Sequence, residues 1–243
     1  MKFLFKPKRK QSSAANFFDP FYQAHNIARL SHLESLGLQL SNRKVLELGA
    51  GIGDHTLFYL YKGCSVTPVE GRQELCDFMT KRFGIDAVKI DFESELKKLD
   101  SYRSYDVVHC YGLLYHLSNP AEFLSHACKT GELFLLETCV STDDAADPIN
   151  IVDESISDAT QAISGKGCRP TRKWLFDELK KYYEYVYMPI TQPNHVEFAL
   201  DLRKKLPDAN LTRAIFIASN HKLENPNLTS SIPEKYSSLP RLK

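Results

Sequence analysis

From Lys44 to Glu137 the sequence alternates short apolar runs with helical stretches, and a glycine turn stands at the first junction. This repetition leaves few architectures open. Parallel strands need crossovers, and successive crossovers build a sheet covered by helices on both faces. The runs are Lys44–Gly49, Ser65–Glu70, Ala87–Asp91, Tyr105–Tyr111 and Gly131–Glu137; the last, "GELFLLE", is almost continuously apolar, as a strand buried on both faces should be. Between them, Asp54–Lys62 reads as a helix ended by Gly63, and Gln73–Phe83 as one closed by Gly84. "NPAEFLSHACK" opens a helix with Asn119 as N-cap, Pro120 at N1 and Glu122 at N3.

The flanks are less regular. Ile27, Leu30, Leu33 and Leu36 recur at close to helical spacing and predict a leading helix with these residues on one face. Residues 139–170 break the pattern and read as a substrate-side insertion or lid, with a short helix near 154–163. "TRKWLFDELKKYY" restarts as a helix capped by Thr171, followed by the strands "YEYVYMPIT" and "RAIFIASN", which no helical crossover separates and which therefore suit antiparallel pairing. Tyr183, Tyr185 and Tyr187 alternate and should pack against the helix of Trp174.

With 243 residues, 43% of them hydrophobic, the chain suits one domain, 19–220, with a basic segment 1–18 before it and a tail 221–243 that is extended or disordered. A net charge of +1 lacks the basic balance of a protein that binds by neutralising phosphates, which argues against nucleic acid. Six scattered cysteines, with no CxxC pair and no histidine at metal-ligand spacing, read as reduced thiols of a cytoplasmic protein, and no metal site is assigned. Asp143 and Asp144 read as solvated acids. No apolar run approaches the ~20 residues of a membrane span.

The junction "VLELGAGIGDHT" carries the chemistry. Glycines 49, 51 and 53 allow a sharp turn and close approach by a ligand, and the helix that follows points free N–H groups at it. The dinucleotide fingerprint G-x-G-x-x-G fails, because Asp54 stands where its third glycine would be. Glu70 ends the second strand, where a parallel sheet puts it beside the loop and where a carboxylate can accept both ribose hydroxyls. Its alternative role is an ion pair with Arg72. Glu47 would repel a pyrophosphate but favour a ligand carrying an ammonium and a sulfonium. S-adenosylmethionine has a ribose, no phosphate and both positive centres. An NAD(P)-dependent oxidoreductase is disfavoured by the glycine spacing and Glu47, and a non-catalytic binding protein by the intact loop with Glu70.

"VLELGAGIGDHT", "VTPVEG", "IDF" and "YDVVHCYGLLYHLSNP" resemble, in order and separation, the successive motifs of class I S-adenosylmethionine-dependent methyltransferases. The resemblance implies a three-layer Rossmann-like α/β fold with a mostly parallel seven-stranded sheet of order 3-2-1-4-5-7-6, strand seven antiparallel. It implies that Glu47, Gly49, Ala50, Gly51 and Gly53 hold the methionine part of S-adenosylmethionine. Glu70, flanked by Gly71 and Arg72, would bind the ribose, Asp91 the adenine amino group with Phe92 against the ring, and Tyr111 would sit at the cofactor's edge. Gly53 could serve only packing, and Asp91 only its own turn.

The segment after strand four is where this family places substrate-side residues. His116 is the candidate base because histidine titrates near neutrality, and Tyr115, Glu137, Arg172 and His195 are candidates for acceptor contact. The chain has neither the Asn/Asp-Pro-Pro-aromatic run of amine methylases after strand four nor a Pro-Cys pair. The expectation is therefore O-methylation of a small molecule or saccharide. "CYGLLYHLSNPAEFL" is also similar to the tRNA-wobble-uridine carboxymethyltransferase family, which stands as the alternative.

Overall fold

The computed structural model describes residues 14–143, 145–158, 160–202 and 212–239; the basic residues of segment 1–13 lie outside them. Its centre is a run of parallel strands, β1 (Lys44–Leu48), β2 (Ser65–Glu70), β3 (Val88–Lys89), β4 (Tyr105–Tyr111) and β5 (Gly131–Val140). β8 (Tyr185–Pro189) and β10 (Thr212–Ser219) pair antiparallel with each other, and β10 pairs antiparallel with β5. With β8 and β10 as sixth and seventh strands, the sheet runs in the expected order, and β11 (Leu228–Thr229) adds an edge strand beside β8. The third strand is shorter than Ala87–Asp91. Thr191–Gln192 and Ser237–Ser238 (β9 and β12) pair apart from the main sheet.

The side-chain alternation of the strands divides the core in two. Leu46, Leu48, Phe134, Leu136 and Phe216 pack on the face covered by α4 (Pro120–Ala127) and α5 (Arg172–Leu179). Val45, Leu135, Ile215 and Ile217 pack on the other, with Leu33 of α1 (Pro20–Ser35) and Tyr59 of α2 (Asp54–Tyr61). β5 thus supplies both faces, which is why it reads as continuously apolar. The three tyrosines do not share a face: Tyr183, ahead of β8, packs with Leu175 and Leu179 of α5, whereas Tyr185 and Tyr187 lie in the other cluster.

Two local expectations need correction. Helix α1 is capped by Asp19, whose side chain accepts from Phe21 N, but it buries only the Leu33 and Leu36 end of the apolar stripe. Ile27 is 64% exposed, while His25, Asn26, Arg29 and His32 are buried with Leu33. The described residues of 154–163 form no helix. The insertion instead makes an antiparallel ribbon of β6 (Ile151–Asp153) and β7 (Lys166–Cys168), and its turn-rich connection satisfies its backbone locally, as in Glu154 N to Gly165 O and Gln161 N to Asp158 O. After β10 the described chain passes through β11 and β12, and Tyr236 between them is buried against Arg172.

A candidate cofactor and acceptor cavity

The glycine turn is pinned by backbone bonds: Gly49 N and Ala50 N both donate to Val69 O, at 2.9 and 3.0 Å. Gly51 has φ 57° and a Cβ there would come within 3.0 Å of Phe17 Cε1. Gly53 has φ 88° as the N-cap of α2, and its Cβ would meet Met79 of α3 (Gln73–Phe83). Gly53 therefore serves the turn and the packing of α2. The Glu70 carboxylate accepts from Gly51 N at 2.8 Å and from Arg72 N at 2.9 Å. The Arg72 guanidinium is engaged elsewhere, donating to Asp158 O and Gln161 O of the insertion. Glu70 is thus fixed by the loop's own backbone, with its side chain on a cavity wall.

That cavity, about 280 Å³, is bounded by α1, the glycine turn, the ends of β2 and β4, and the insertion. Of the cofactor-side residues singled out in the sequence, all but Gly53 line it. Glu47 is only 2% exposed; Thr56 Oγ1 donates to it, and burial pushes its carboxyl up to about 8. It therefore carries a proton at neutral pH until a cation lies against it. Asp91 accepts from Glu93 N and Ser94 Oγ within its own turn while lining the cavity. Phe92 packs edge-on against Phe123, with ring centroids 5.6 Å apart.

Of the acceptor-side residues, Tyr115 and His116 line the cavity; Glu137, Arg172 and His195 do not. His116 Nδ1 lies 2.5 Å from Glu154 Oε2. Glu154 also accepts from Ala162 N at 2.8 Å and from Arg169 Nη2 at 3.0 Å. Burial lowers the His116 pKa below its ordinary value, with Glu154 pulling the other way. Glu137 is fully buried behind the wall, receiving Arg29 Nη1 at 2.8 Å and Arg213 Nη1 at 3.0 Å. Burial would raise its pKa, but the two guanidiniums hold it low. Arg172 binds Asp143 and the tail, at Tyr236 Oη and Pro233 O.

His195 stacks on His25, with centroids 4.9 Å apart. His25, His195 and Glu197 place possible ligand atoms within 4.8 Å of one another, the kind of cluster that can hold a metal. Arg213 Nε, 2.8 Å from Glu197 Oε2, competes for that carboxylate. Burial and the Arg29 and Arg213 charges also drive the His25 pKa far down, in a field that opposes a cation.

Sequence reasoning missed Tyr22, His25, Asn26, Arg29, His55, Glu197 and Arg213 as cavity-lining residues. A signal existed for four of them. Positions 22, 25, 26 and 29 have the i, i+3, i+4, i+7 spacing of one helical face, and that face is polar.

A parallel sheet with a glycine turn after β1 and a fixed carboxylate at the end of β2 defines a Rossmann-like protein that holds a nucleoside cofactor. A family model described as a methyltransferase domain matches residues 18–179. The chain belongs to the class I S-adenosylmethionine-dependent methyltransferases. It is 26% identical over 106 residues to the ubiquinone biosynthesis O-methyltransferase of Rickettsia conorii, a match covering 43% of this chain and 37% of that protein.

By fold it is similar to the N-terminal domain of EvdMO1, solved in the presence of S-adenosylhomocysteine and D-fucose, with TM-score 0.58, 19% identity and coverage of 87% of this chain and 84% of that one. The Burkholderia thailandensis 1,6-didemethyltoxoflavin-N1-methyltransferase with bound S-adenosylhomocysteine gives TM-score 0.50 at 17% identity, covering 89% and 91%. The cofactor is S-adenosylmethionine, and the residues present fit it. The turn is a cradle that side chains at Gly49 and Gly51 would crowd, Glu70 is anchored where it would hold the ribose, and Glu47 is a buried carboxyl that a cation would ionise. Among the described residues no helix is long and apolar enough to cross a membrane.

Proposed function

We propose that the protein methylates a hydroxyl group of a small molecule or saccharide, with His116 as general base. The observation that carries this reading is the His116–Glu154 contact on the cavity wall. A carboxylate that accepts from Nδ1–H fixes the imidazole tautomer and leaves Nε2 with its lone pair free for a hydroxyl proton. Arg169 and Ala162 N hold Glu154 in place. Tyr115 lies against the His116 ring at 3.9 Å between centroids and has the Arg169 and Arg213 guanidiniums over its own ring, which restricts how the base can turn.

The bound cofactor supplies a methyl group activated by its sulfonium. This chain's residues orient the acceptor, take its proton and exclude water, the last through Thr160, Gln161 and Ile163 of the insertion, which acts as the lid. The relative that acts in ubiquinone biosynthesis is named an O-methyltransferase, which agrees with oxygen as the acceptor atom. Six free and buried cysteines suit the reducing cytoplasm.

The test is incubation with S-adenosylmethionine and a panel of sugars, phenols and amines, followed by mass spectrometry. Gain of one methyl mass on hydroxyl acceptors is expected. Transfer confined to amines would overturn the reading, and a carboxymethyl gain on wobble uridine, with tRNA and a carboxylated S-adenosylmethionine supplied instead, would establish the alternative.

A further inference from the structure

Large apolar side chains left in water are ordinary when scattered and informative when they gather. Five gather around the mouth of the cavity: Phe18, Phe21, Ile156, Ile163 and Val196. Phe21 of α1 and Ile163 of the insertion line the cavity, yet they are 53% and 41% exposed, so both stand on its rim. The Phe21 ring meets that of His195 with centroids 4.7 Å apart, and the next residue, Val196, is 74% exposed. On the other side Phe18 is half exposed beside Phe78. Asn16 Nδ2 donates to Asp158 Oδ1 at 2.8 Å, which ties the lead-in of α1 to the loop carrying Ile156, itself 69% exposed. The acids of this rim are already engaged: Asp19 by Phe21 N, Asp158 by Asn16 and Thr160, Glu197 by Arg213, and Asp153 by Lys166.

The charges are distributed to match. Of 31 basic and 30 acidic side chains, five basic and no acidic ones fall within residues 1–10, at Lys2, Lys6, Lys8, Arg9 and Lys10, so the rest of the chain is net −4. This segment leads into Ala14, which is buried in one cluster with Phe17, four residues before Phe18. At no more than ~3.6 Å per residue, Lys6 to Lys10 lie within roughly 30 Å of Ala14. An anionic surface attracts the segment and repels the remainder, and so turns the cavity mouth toward itself. Each basic side chain near such a surface strengthens binding roughly fivefold, and stable attachment takes a second signal beside the charge. The apolar rim is that second signal.

We propose that the apolar rim and the basic segment 1–10 together dock on the anionic lipid of a bilayer, with the cavity mouth facing the membrane. Nucleic acid would share the charge but not the rim, because Ile156, Ile163 and Val196 offer no flat face on which a base could stack. The surface goes beyond the hydroxyl-methylation reading and does not require it.

The test is partition of the full chain between buffer and floated vesicles. Phosphatidylcholine vesicles with ~30% phosphatidylserine should bind it at least roughly tenfold more tightly than phosphatidylcholine alone, and added salt should erase the difference. Lys6→Gln, Lys8→Gln, Arg9→Gln and Lys10→Gln combined should erase it too, with S-adenosylhomocysteine affinity by calorimetry kept at the parent value. Ile156→Ser with Val196→Ser should weaken binding to the anionic vesicles severalfold and leave its salt dependence. The native cysteines are free and buried, so an environment-sensitive dye on Ile156→Cys or Val196→Cys reports those positions alone. Its emission should shift to the blue on the anionic vesicles, whereas the same dye on Tyr61→Cys, at the end of α2 away from the glycine turn, should not shift. No preference for the anionic vesicles, a preference that survives the charge replacement, an equal shift at position 61, or tighter binding of tRNA than of vesicles at equal phosphate overturns the proposal. None of these readouts involves methyl transfer, so the docking surface and the hydroxyl reading fail separately.

Discussion

The two ends of the cavity are held by different kinds of contact. At the ribose end the anchors are backbone N–H groups close to their acceptors in sequence or on the neighbouring strand: Gly51 N and Arg72 N on Glu70, and Gly49 N and Ala50 N on Val69 O. At the acceptor end the anchors are side-chain charges separated by 108 residues for Arg29–Glu137, 76 for Arg213–Glu137 and 38 for His116–Glu154. Backbone anchors survive most substitutions around them and fail only when the glycines or Glu70 change. Buried charges are worth little beyond their alternatives yet leave a large penalty when one partner is lost. The ribose end should therefore fail in binding, and the acceptor end in catalysis or stability.

The widest separation between the two ends is expected for His116→Gln. It should lower kcat by ~10²–10⁴-fold, the usual range for a lost general base, with unchanged S-adenosylhomocysteine affinity by calorimetry. In the parent, kcat should fall on acidification with an apparent pKa below 6.5, because burial favours neutral His116 and the neutral form is the base. A matching loss of cofactor affinity would show that the ends are not separable.

Next, Glu137→Gln leaves two buried guanidiniums facing each other. It should cost about 3–5 kcal/mol of stability, read from urea unfolding. An unaffected midpoint would mean that the Arg29–Glu137–Arg213 network is not the strut it resembles.

Glu70→Ala should weaken cofactor binding by roughly 10–100-fold, as expected for about 1.5–3 kcal/mol of charged hydrogen bonding, while kcat at saturating cofactor stays close to the parent's.

The smallest effect concerns Glu47. Its folded pKa, raised to about 8, makes a contribution to stability that is complete below the unfolded value of 4.5 and is lost as pH rises through 8. At pH 7, ionising it costs about 1.4 kcal/mol, which a sulfonium and an ammonium would offset. Calorimetry in buffers of different ionisation enthalpy should show more proton release on binding S-adenosylmethionine than S-adenosylhomocysteine. Equal release would remove Glu47 from the recognition of positive charge.

This contrast also explains what the sequence discloses. The central strands and the ribose-end residues are legible because strand period, glycine turns and a carboxylate nineteen residues beyond Gly51 are local or follow from parallel pairing. Helix α1 misleads in its first half because the buried face there covers a polar cavity, whereas Leu33 and Leu36 further along it join the core. The apolar stripe rule then points the wrong way, leaving Ile27 in solvent and Arg29 inside. Glu154 was invisible as a partner of His116, since 38 residues and an unforeseen ribbon separate them. Glu137 was singled out as an acceptor contact; its burial behind Arg29 and Arg213 depends on α1 and β10 meeting across the sheet, which no local pattern encodes.

Arg72 ties the end of β2 to the insertion: its N–H holds Glu70 while its guanidinium grips the carbonyls of Asp158 and Gln161. One residue thereby acts as a clasp between the carboxylate at the end of β2 and the insertion. If the insertion is the lid proposed above, exchange of spent for fresh cofactor would have to undo that clasp, and the dwell time of the nucleoside and the opening of the cover would be two readings of one event.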